Sequence, residues 1–252
     1  MNRYFVRLAF VGTNFHGWQM QENAISVQQQ LNKAFSVVLN QDIQLTGCGR
    51  TDTGVHAKDF FAHCDFLGHQ SQAERLDLIF RLNRFLIRDM AIKEIIPVKA
   101  DAHARFSALS RTYEYHINRT KDPFLVGFSY YIFGALDVDL MNKGADLLTT
   151  FSDFSSFSKS KTQVNNNLCD LQYARWEQKS DQLIFTIRAN RFLRNMVRAI
   201  VGTLLDLGKG IIDVDMLQEI IEERSRSAAG FSVPEYGLFL TQIEYPRDIF
   251  LP

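Results

Sequence analysis

Residues 47–57 read Gly-Cys-Gly-Arg-Thr-Asp-Thr-Gly-Val-His-Ala, and the rest of the chain is best understood outward from this stretch. Three glycines within eight residues permit positive φ angles and the close approach of another segment, which is typical of a functional loop. Short segments on either side, residues 43–46 and 59–66, have the alternating pattern of strands. The stretch therefore predicts a strand-to-strand connection that carries Asp52.

Asp52 is a candidate nucleophile because an arginine lies two positions before it. In an extended chain the side chains of Arg50 and Asp52 point the same way, and a nearby guanidinium favours an ionised carboxylate. An ionised, positioned carboxylate can attack an electrophilic carbon. The alternative is a polar turn in which Asp52 only caps a neighbouring backbone amide.

The composition is that of a globular protein of 252 residues whose formal net charge is zero. The three cysteines form no C-x-x-C pair, the amino terminus lacks the apolar core of a signal peptide, and no apolar run is long enough for a membrane span. We therefore expect a reduced, cytoplasmic protein without a membrane anchor. Residues 188–198 contain four arginines and no acid, so one basic face is expected.

The order of predicted elements repeats once along the chain, which defines two halves, residues 1–104 and 105–252. Helices are predicted at residues 26–40, 71–86, 137–149, 190–207 and 213–224. Each half reads as a ferredoxin-like β-α-β-β-α-β unit, so the predicted fold class is α+β. We expect one long mixed, mainly antiparallel sheet with helices on one face and a central cleft between the halves.

Three local features carry further expectations. Residues 12–19 follow the first strand and are expected to form a loop that exposes Phe15 and Trp18. In the second helix, one face is predicted from the residues at helical spacing, which are Leu76, Ile79, Phe80, Asn83 and Leu86. Residues 152–167 are rich in Ser, Lys and Asn and are predicted to form a mobile loop.

The predicted helix at 190–207 places arginines beside an apolar stripe. At about 100° per residue, one side of the helix carries Leu193, Val197, Ile200 and Leu204, and an adjoining side carries Arg191, Arg194 and Arg198. None of these arginines has an acidic residue at i+4, which favours an external phosphate or carboxylate as partner. The alternative is a solvated helix face.

Several classes of chemistry are disfavoured. The tripeptide Asp52-Thr53-Gly54 also occurs in aspartic proteases, but those enzymes need two carboxylates, and no second such tripeptide is present. Glycoside hydrolysis likewise needs a carboxylate pair. The six histidines lack metal-ligand spacing, and there is neither a phosphate loop nor a dinucleotide fingerprint. We therefore expect no metal and no nucleotide cofactor.

Nearly the whole chain resembles the tRNA pseudouridine synthase A family. Residues 47–57 are similar to its catalytic motif, and residues 12–21 are similar to its first loop. Residues 104–115 resemble its tyrosine motif, residues 192–203 its arginine helix, and residues 234–240 its closing strand. Five motifs in the same order are more specific than any one of them.

The resemblance implies an enzyme that isomerises uridine to pseudouridine in the anticodon stem-loop of tRNA, at positions 38 to 40. Asp52 would be the nucleophile, attacking either the uracil ring or the ribose carbon so that the glycosidic bond breaks. Tyr113 would stack on the flipped base and take part in proton removal. Arg198 would pair with Asp52, and Leu238 would pack beneath the base.

The resemblance also implies how the RNA is held: Arg50, Arg105, Arg191 and Arg194 would contact phosphates. It implies a homodimer that needs no cofactor. The sequence Val233-Pro234-Glu235 departs from the usual Ala-Pro, and we expect this difference to touch no catalytic atom. Two alternatives stay open, namely an RNA-binding module of the same fold that does no chemistry and a related synthase acting on other RNAs.

Overall fold

The structure, a computed structural model, describes residues 1–69, 71–159 and 166–252. These residues form two compact units: unit 1 comprises Met1–Leu109 and Leu240–Pro252, and unit 2 comprises Ser110–Phe239. Nine strands and five α-helices occur in the described residues, and the strands pair in a mixed, mainly antiparallel way. The predicted α+β fold class is therefore confirmed.

Unit 1 follows the predicted order of strands and helices. Its elements are β1 (Asn2–Phe10), α1 (Val27–Leu39), β2 (Thr46–Gly47), β3 (His56–Phe66), α2 (Gln72–Phe85) and β4 (Met90–Pro97). Strand β1 is central because it pairs antiparallel with both β3 and β4, and the short β2 pairs antiparallel with β3. This arrangement places the β2–β3 connection, and with it Asp52, at one end of a three-stranded core.

Side-chain caps define where the two helices of unit 1 begin. The Ser26 hydroxyl accepts a hydrogen bond from the Gln29 N–H at the start of α1. At the start of α2, Ser71 and Glu74 form a reciprocal capping box, in which each side chain accepts from the other residue's backbone. Such caps satisfy backbone N–H groups that have no partner within the helix. Both helix starts agree with the prediction.

The predicted face of α2 is wrong at Leu76 and Phe80. Leu78 and Leu82 are fully buried, whereas Leu76 and Phe80 are 59% and 60% exposed. The two pairs have the same i, i+4 spacing but are offset by two residues, which turns them to roughly opposite faces of the helix. Packing on the sheet selects one pair, and the guanidinium of Arg84 lies 5.7 Å from the centre of the exposed Phe80 ring.

Unit 2 also combines strands and helices, and its central strand is β8. Its elements are β5 (Ser110–Asn118), β6 (Tyr130–Tyr131), α3 (Val138–Leu148), β7 (Leu171–Lys179), β8 (Gln182–Ala189), α4 (Met196–Gly208) and α5 (Val214–Glu222). Strand β8 pairs antiparallel with β5 and β7, while β6 pairs parallel with β5. The last strand, β9 (Leu238–Glu244), begins in unit 2 and continues into unit 1.

The prediction of a mobile loop at residues 152–167 is wrong for residues 155–157. Ser155–Phe157 form a short 3₁₀ helix whose Ser156 and Phe157 side chains are buried. The Ser156 hydroxyl donates to a carbonyl of α5 at 2.6 Å, which fixes this part to the helix. Residues 160–165 lie outside the described residues. No helix within the described ranges is both long and apolar enough to cross a membrane.

Candidate active site

The loop that carries Asp52 is fixed at both ends within unit 1. We call residues 48–55 the Asp52 loop; it connects β2 to β3, as the sequence predicts. At its start the Cys48 N–H donates to a carbonyl of β3 at 2.8 Å, and near its end the Gly54 N–H donates to the Phe15 carbonyl at 3.2 Å. Asp52 itself is half-buried between these anchors. The backbone that carries its carboxylate is thus held from two directions.

A second loop, residues 11–19, packs directly against the Asp52 loop, and we call it the first loop. A methyl group on Gly12 would lie 2.0 Å from the Val55 carbonyl oxygen, and one on Gly17 would lie 2.2 Å from the Thr51 carbonyl oxygen. These distances are far below van der Waals contact, so each position admits only glycine. Gly17 also has a φ of 80°, a conformation that other residues rarely adopt.

The prediction that the first loop exposes its aromatic residues is wrong. Phe15 and Trp18 are both buried, and the Trp18 ring stacks on Phe60 of β3 with ring centres 4.3 Å apart. A methyl group on Gly47 would lie 2.5 Å from the Trp18 ring. The glycines around the Asp52 loop therefore make room for aromatic packing beneath it.

His56 helps to hold the Asp52 loop and the first loop together, a role that the sequence did not predict. It is the first residue of β3, its ring is buried, and its Nδ1 accepts the Gly12 N–H at 3.0 Å. Because Nδ1 is the acceptor, the neutral ring carries its proton on Nε2. His56 therefore joins the first loop to the end of the Asp52 loop. The sequence signal was its place within the glycine-rich stretch.

Arg50 and Arg105, the predicted phosphate contacts of unit 1, are both exposed. Arg50 lies on the Asp52 loop. Arg105 lies in the turn after Ala104, and its guanidinium is 5.4 Å from the centre of the Phe106 ring, which is itself 74% exposed. An exposed guanidinium beside an exposed aromatic ring can contact both a phosphate and a base.

Two histidines hold the backbone around Arg105. His63 is buried in β3 and its Nδ1 accepts the Ala104 N–H at 3.2 Å, while His103 Nδ1 accepts the Arg105 N–H at 3.1 Å. The two rings are 4.5 Å apart. Burial, followed by the charges of His103 and Arg3, lowers the pKa of His63 to about 4. Burial also lowers the pKa of His103, so both rings are neutral acceptors near neutral pH.

In unit 2, the tyrosines of β5 have different surroundings. Tyr113 is half-buried and meets the Phe192 ring edge-on, with ring centres 5.2 Å apart and an interplanar angle of 89°. Tyr115 is completely buried, its hydroxyl donates to the Pro234 carbonyl at 2.9 Å, and burial raises its pKa. Alternation along a strand would place Arg111, Tyr113 and Tyr115 on one polar face, but Tyr115 belongs to the core.

Leu238 comes directly after a turn that packs against the buried Tyr115. It is the first residue of β9, is 6% exposed, and comes directly after the 3₁₀ turn Glu235–Gly237. A methyl group on Gly237 would lie 2.8 Å from the Tyr115 ring. Tyr115 therefore fixes the turn that delivers Leu238 to its position, which gives the second tyrosine a structural role.

The helix that carries the predicted arginines begins later than the sequence indicates. Helix α4 starts at Met196, so Arg191 and Arg194 lie on the preceding loop and only Arg198 lies on the helix. The Arg194 carbonyl accepts the Lys159 N–H at 3.1 Å, and its side chain is exposed. Arg191 is half-buried, and its Nη1 donates to an Asn166 oxygen at 3.4 Å. The predicted single helical row of three arginines is therefore wrong.

Arg198 is held by the segment that precedes β9. Its Nε donates to the Val233 carbonyl at 2.7 Å, and its Nη2 lies 3.2 Å from a carboxylate oxygen of Glu235. The guanidinium is mostly buried, with 18% of the side chain exposed. The expectation that the departure at Val233-Pro234-Glu235 touches no proposed catalytic atom is therefore wrong, because two of its three residues bond the Arg198 guanidinium.

The predicted site residues are divided between the two units. Unit 1 holds Asp52, Arg50 and Arg105, and unit 2 holds Tyr113, Arg191, Arg194, Arg198 and Leu238. Among the residues that the structure describes, no three His, Cys, Asp or Glu side chains are grouped to hold a metal ion. The reactive groups among these residues are the Asp52 carboxylate on a loop fixed at both ends, the half-buried Tyr113 phenol and the mostly buried Arg198 guanidinium.

Comparisons with known proteins match the chain along its whole length. A family model described as tRNA pseudouridine synthase matches residues 151–246. A tRNA pseudouridine synthase A of Bacteroides thetaiotaomicron is 47% identical over 99% of the chain and 93% of its own length. The protein of the same name from Porphyromonas gingivalis is 47% identical over 100% of both chains, and that of Colwellia psychrerythraea is 35% identical over 99% of this chain and 96% of its own. The chain therefore belongs to the tRNA pseudouridine synthase A family.

Proposed function

We propose that the chain isomerises uridine to pseudouridine in the anticodon stem-loop of tRNA, at positions 38 to 40, with Asp52 as nucleophile. Its family acts on tRNA, and the chain is an isomerase. The observation that carries the proposal is the 47% identity over essentially the full length of relatives named tRNA pseudouridine synthase A. The proposal adds the stem-loop, the nucleophile and the roles of the other residues.

The reaction exchanges one bond for another within a single nucleotide. The Asp52 carboxylate attacks the uracil ring or the ribose carbon and forms a bond to it, the glycosidic carbon–nitrogen bond breaks, and the base turns. A carbon–carbon bond to the ribose then forms, and the bond to Asp52 breaks, which returns the free carboxylate. The proton on that ring carbon leaves, and the released ring nitrogen gains a proton. No atom is gained or lost overall, so the reaction needs no cofactor. A carboxylate on a loop fixed at both ends suits this role because a nucleophile gains from being held in place.

The other residues act on the base and on the RNA backbone. Tyr113 stacks on the flipped uracil and assists proton removal, Arg198 pairs with Asp52, and Leu238 packs beneath the base. A base must leave its stack before an enzyme can reach its ring, so contacts to the flanking phosphates are needed. The exposed arginines Arg50, Arg105 and Arg194, together with Arg191, serve that purpose.

The test is the Asp52→Asn variant, because the amide keeps the shape of the side chain but is not a nucleophile. We expect turnover to fall more than about a hundredfold while tRNA affinity stays within about twofold. The control is Asp42→Asn, an exposed carboxylate of the segment between α1 and β2. Activity of Asp52→Asn above about one hundredth of wild type would show that Asp52 is not the nucleophile.

Mapping pseudouridine in tRNA incubated with the purified protein separates the remaining alternatives. Product at positions 38 to 40 supports the proposal, whereas product only at other uridines or in other RNAs indicates a related synthase. Tight binding without any product indicates an RNA-binding module. Each outcome is read directly from the modified RNA.

The chain also works as a homodimer in this proposal. The support is an apolar surface formed by the segment 123–133 of unit 2, where Phe124 is 89% and Phe133 is 86% exposed. Large exposed apolar patches mark protein interfaces, whereas a phosphate-binding surface would be basic. The substitutions Phe124→Ser and Phe133→Ser together should shift the protein towards monomer in light scattering. Ile211→Ser, at another exposed apolar residue, should not. A monomeric wild type contradicts the dimer.

A cytoplasmic location completes the proposal. All three cysteines are buried and none forms a disulfide, which is typical of proteins kept in a reducing compartment. Cell fractionation followed by immunodetection tests this point.

A further inference from the structure

We infer that Arg226 and Ser232 are positioning residues that determine where the Arg198 guanidinium lies. Both belong to residues 225–235, a segment that contacts α4 and that we call the strap. The inference rests on the proposed function, because it assumes that Arg198 belongs to the active site. It adds that hydrogen bonds from the start of α4 and from the strap together position the Arg198 side chain.

Helix α4 is preceded by a residue in the left-handed conformation. Asn195, which precedes the first helical residue, has a φ of 68° and a ψ of 0°, in the left-handed region. Residues other than glycine rarely adopt this conformation, and asparagine does so more readily than most. The Asn195 side chain does not cap its own helix; its Nδ2 donates to the Ser232 hydroxyl at 2.7 Å. The strap therefore fixes the side chain at the start of α4.

Arg226 closes the strap on itself and on that hydroxyl. Its Nη1 donates to the carbonyls of Ala229 and Gly230 at 3.2 Å and 3.1 Å, and its Nη2 donates to the Ser232 hydroxyl at 2.8 Å. The Ser232 oxygen thus accepts two hydrogen bonds, one from Arg226 and one from Asn195, which uses both of its lone pairs. The planar guanidinium fork suits three acceptors at once, and a lysine ammonium does not have this geometry.

The residue next to Ser232 holds Arg198 by two bonds. The Val233 N–H donates to the Arg198 carbonyl at 3.2 Å, and the Val233 carbonyl accepts from Arg198 Nε at 2.7 Å. Glu235 then contacts the far end of the guanidinium. A shift of Ser232 must move Val233, since they are adjacent in the chain. The bonds of Arg226 are therefore one peptide unit away from those that orient Arg198.

The strap packs so closely on α4 that it cannot move without changing its contacts with the helix. A methyl group on Gly202 would lie 1.8 Å from the Phe231 carbonyl oxygen, and the Gly230 N–H donates to the Thr203 hydroxyl at 2.9 Å. The strap and the helix thus form one packed element. Loss of the Ser232 bonds should displace the end of the strap that holds Arg198 rather than release the whole segment.

The competing explanation is that the strap only stabilises the fold, and kinetics distinguish the two. A purely structural bond, once lost, lowers the amount of folded enzyme, but the folded fraction turns over normally. A positioning bond lowers kcat of the folded enzyme and leaves the KM for tRNA nearly unchanged, because Arg198 is assigned to the reacting end of the site and not to the phosphates. Displacement of a reacting group by about 1 Å can cost roughly a hundredfold in rate.

The experiment compares Ser232→Ala, Ser232→Thr, Arg226→Lys and the control Ser227→Ala in the full-length protein with tRNA as substrate. Ser227 is an exposed residue of the same strap whose hydroxyl bonds that of Ser225 at 2.8 Å. We expect Ser232→Ala and Arg226→Lys to lower kcat by roughly ten- to a hundredfold with KM within about twofold. Ser232→Thr, which keeps the hydroxyl, should restore most of the rate, and Ser227→Ala should match wild type.

A double-mutant cycle with Arg198→Lys decides whether the effect passes through Arg198. If it does, Ser232→Ala causes no further loss of kcat in the Arg198→Lys background. An equal loss in both backgrounds, or a wild-type kcat for Ser232→Ala, overturns the inference and leaves the proposed function intact. A wild-type kcat for Arg198→Lys alone overturns the assignment of Arg198, which is a failure of the proposed function.

Discussion

Acidification should destabilise unit 1 through His63, and the size of the effect can be worked out from its surroundings. His63 is buried and its pKa is lowered to about 4, against an ordinary value of 6.5 in the unfolded chain. Between these values the unfolded state binds more protons than the folded state, so stability falls as the pH falls through this window. From pH 7 to pH 5 the expected loss is about 2 kcal/mol in the free energy of unfolding.

The matched variant is His63→Asn, because the asparagine oxygen can replace Nδ1 as acceptor of the Ala104 N–H but does not titrate. Urea unfolding at both pH values gives the comparison. The chain has two tryptophans, Trp18 in unit 1 and Trp176 in unit 2, so fluorescence in a Trp176→Phe background reports on unit 1 alone. Wild type should lose about 2 kcal/mol more than the variant. Equal losses would refute the assigned pKa.

Three further changes test the loops and the RNA contacts. Gly17→Ala should lower kcat more than tenfold, because its methyl group would lie 2.2 Å from a carbonyl of the Asp52 loop. The control is Gly210→Ala, where φ is a similar 70° but the space is open, so that it has the backbone strain without the clash and should keep its kcat. Arg194→Ala should flatten the log–log salt dependence of tRNA binding by up to about one unit, whereas Arg224→Ala should not; equal slopes would mean that Arg194 is merely solvated. Tyr113→Phe should bind tRNA like wild type yet turn over about a hundredfold more slowly, and full activity would leave only a stacking role.

The parts of the structure that follow from local sequence were predicted correctly. Ser26 caps its helix, the second helix begins at the predicted place after Ser71, and the glycine-rich stretch connects two strands with Asp52 between them. These features depend on residues within a few positions of one another. Helix periodicity failed where two patterns were equally good, as in α2, because only packing on the sheet decides which pair of apolar residues is buried.

The start of α4 could not be predicted for a related reason. Leu193 and Val197 are four residues apart and continue the apolar stripe, so the pattern extends the helix back to residue 190. Hydrogen bonds from distant segments instead hold this stretch, including Asn190 N–H to the Asp170 carbonyl at 3.1 Å. The left-handed Asn195 then starts the helix. None of these long-range bonds has a signal in the local sequence.

The burial of Trp18 and the hydrogen bonds of Arg198 to Val233 and Glu235 also depend on segments distant in the sequence. Gly12 and Gly17, which precede Trp18, suggest an exposed loop, yet the absence of a side chain at Gly47 leaves room for the Trp18 ring. The residues around Arg198 in the sequence give no hint of Glu235, which is 37 positions away. Site residues are predictable from a motif, but their partners depend on which segments the fold brings together.

The composition of unit 1 from two separate stretches affects how the chain can be made. Residues 240–252 leave the ribosome after all of unit 2, yet they complete unit 1: the Tyr245 hydroxyl donates to the Ala104 carbonyl at 2.6 Å, and its ring packs on Phe5 with centres 5.0 Å apart. Unit 2 is continuous in the sequence, so all of it is synthesised before unit 1 is complete. Until then Phe5 and Phe61 lack their contacts with the Tyr245 ring, so we expect unit 1 to be the part of the nascent chain most in need of protection from aggregation.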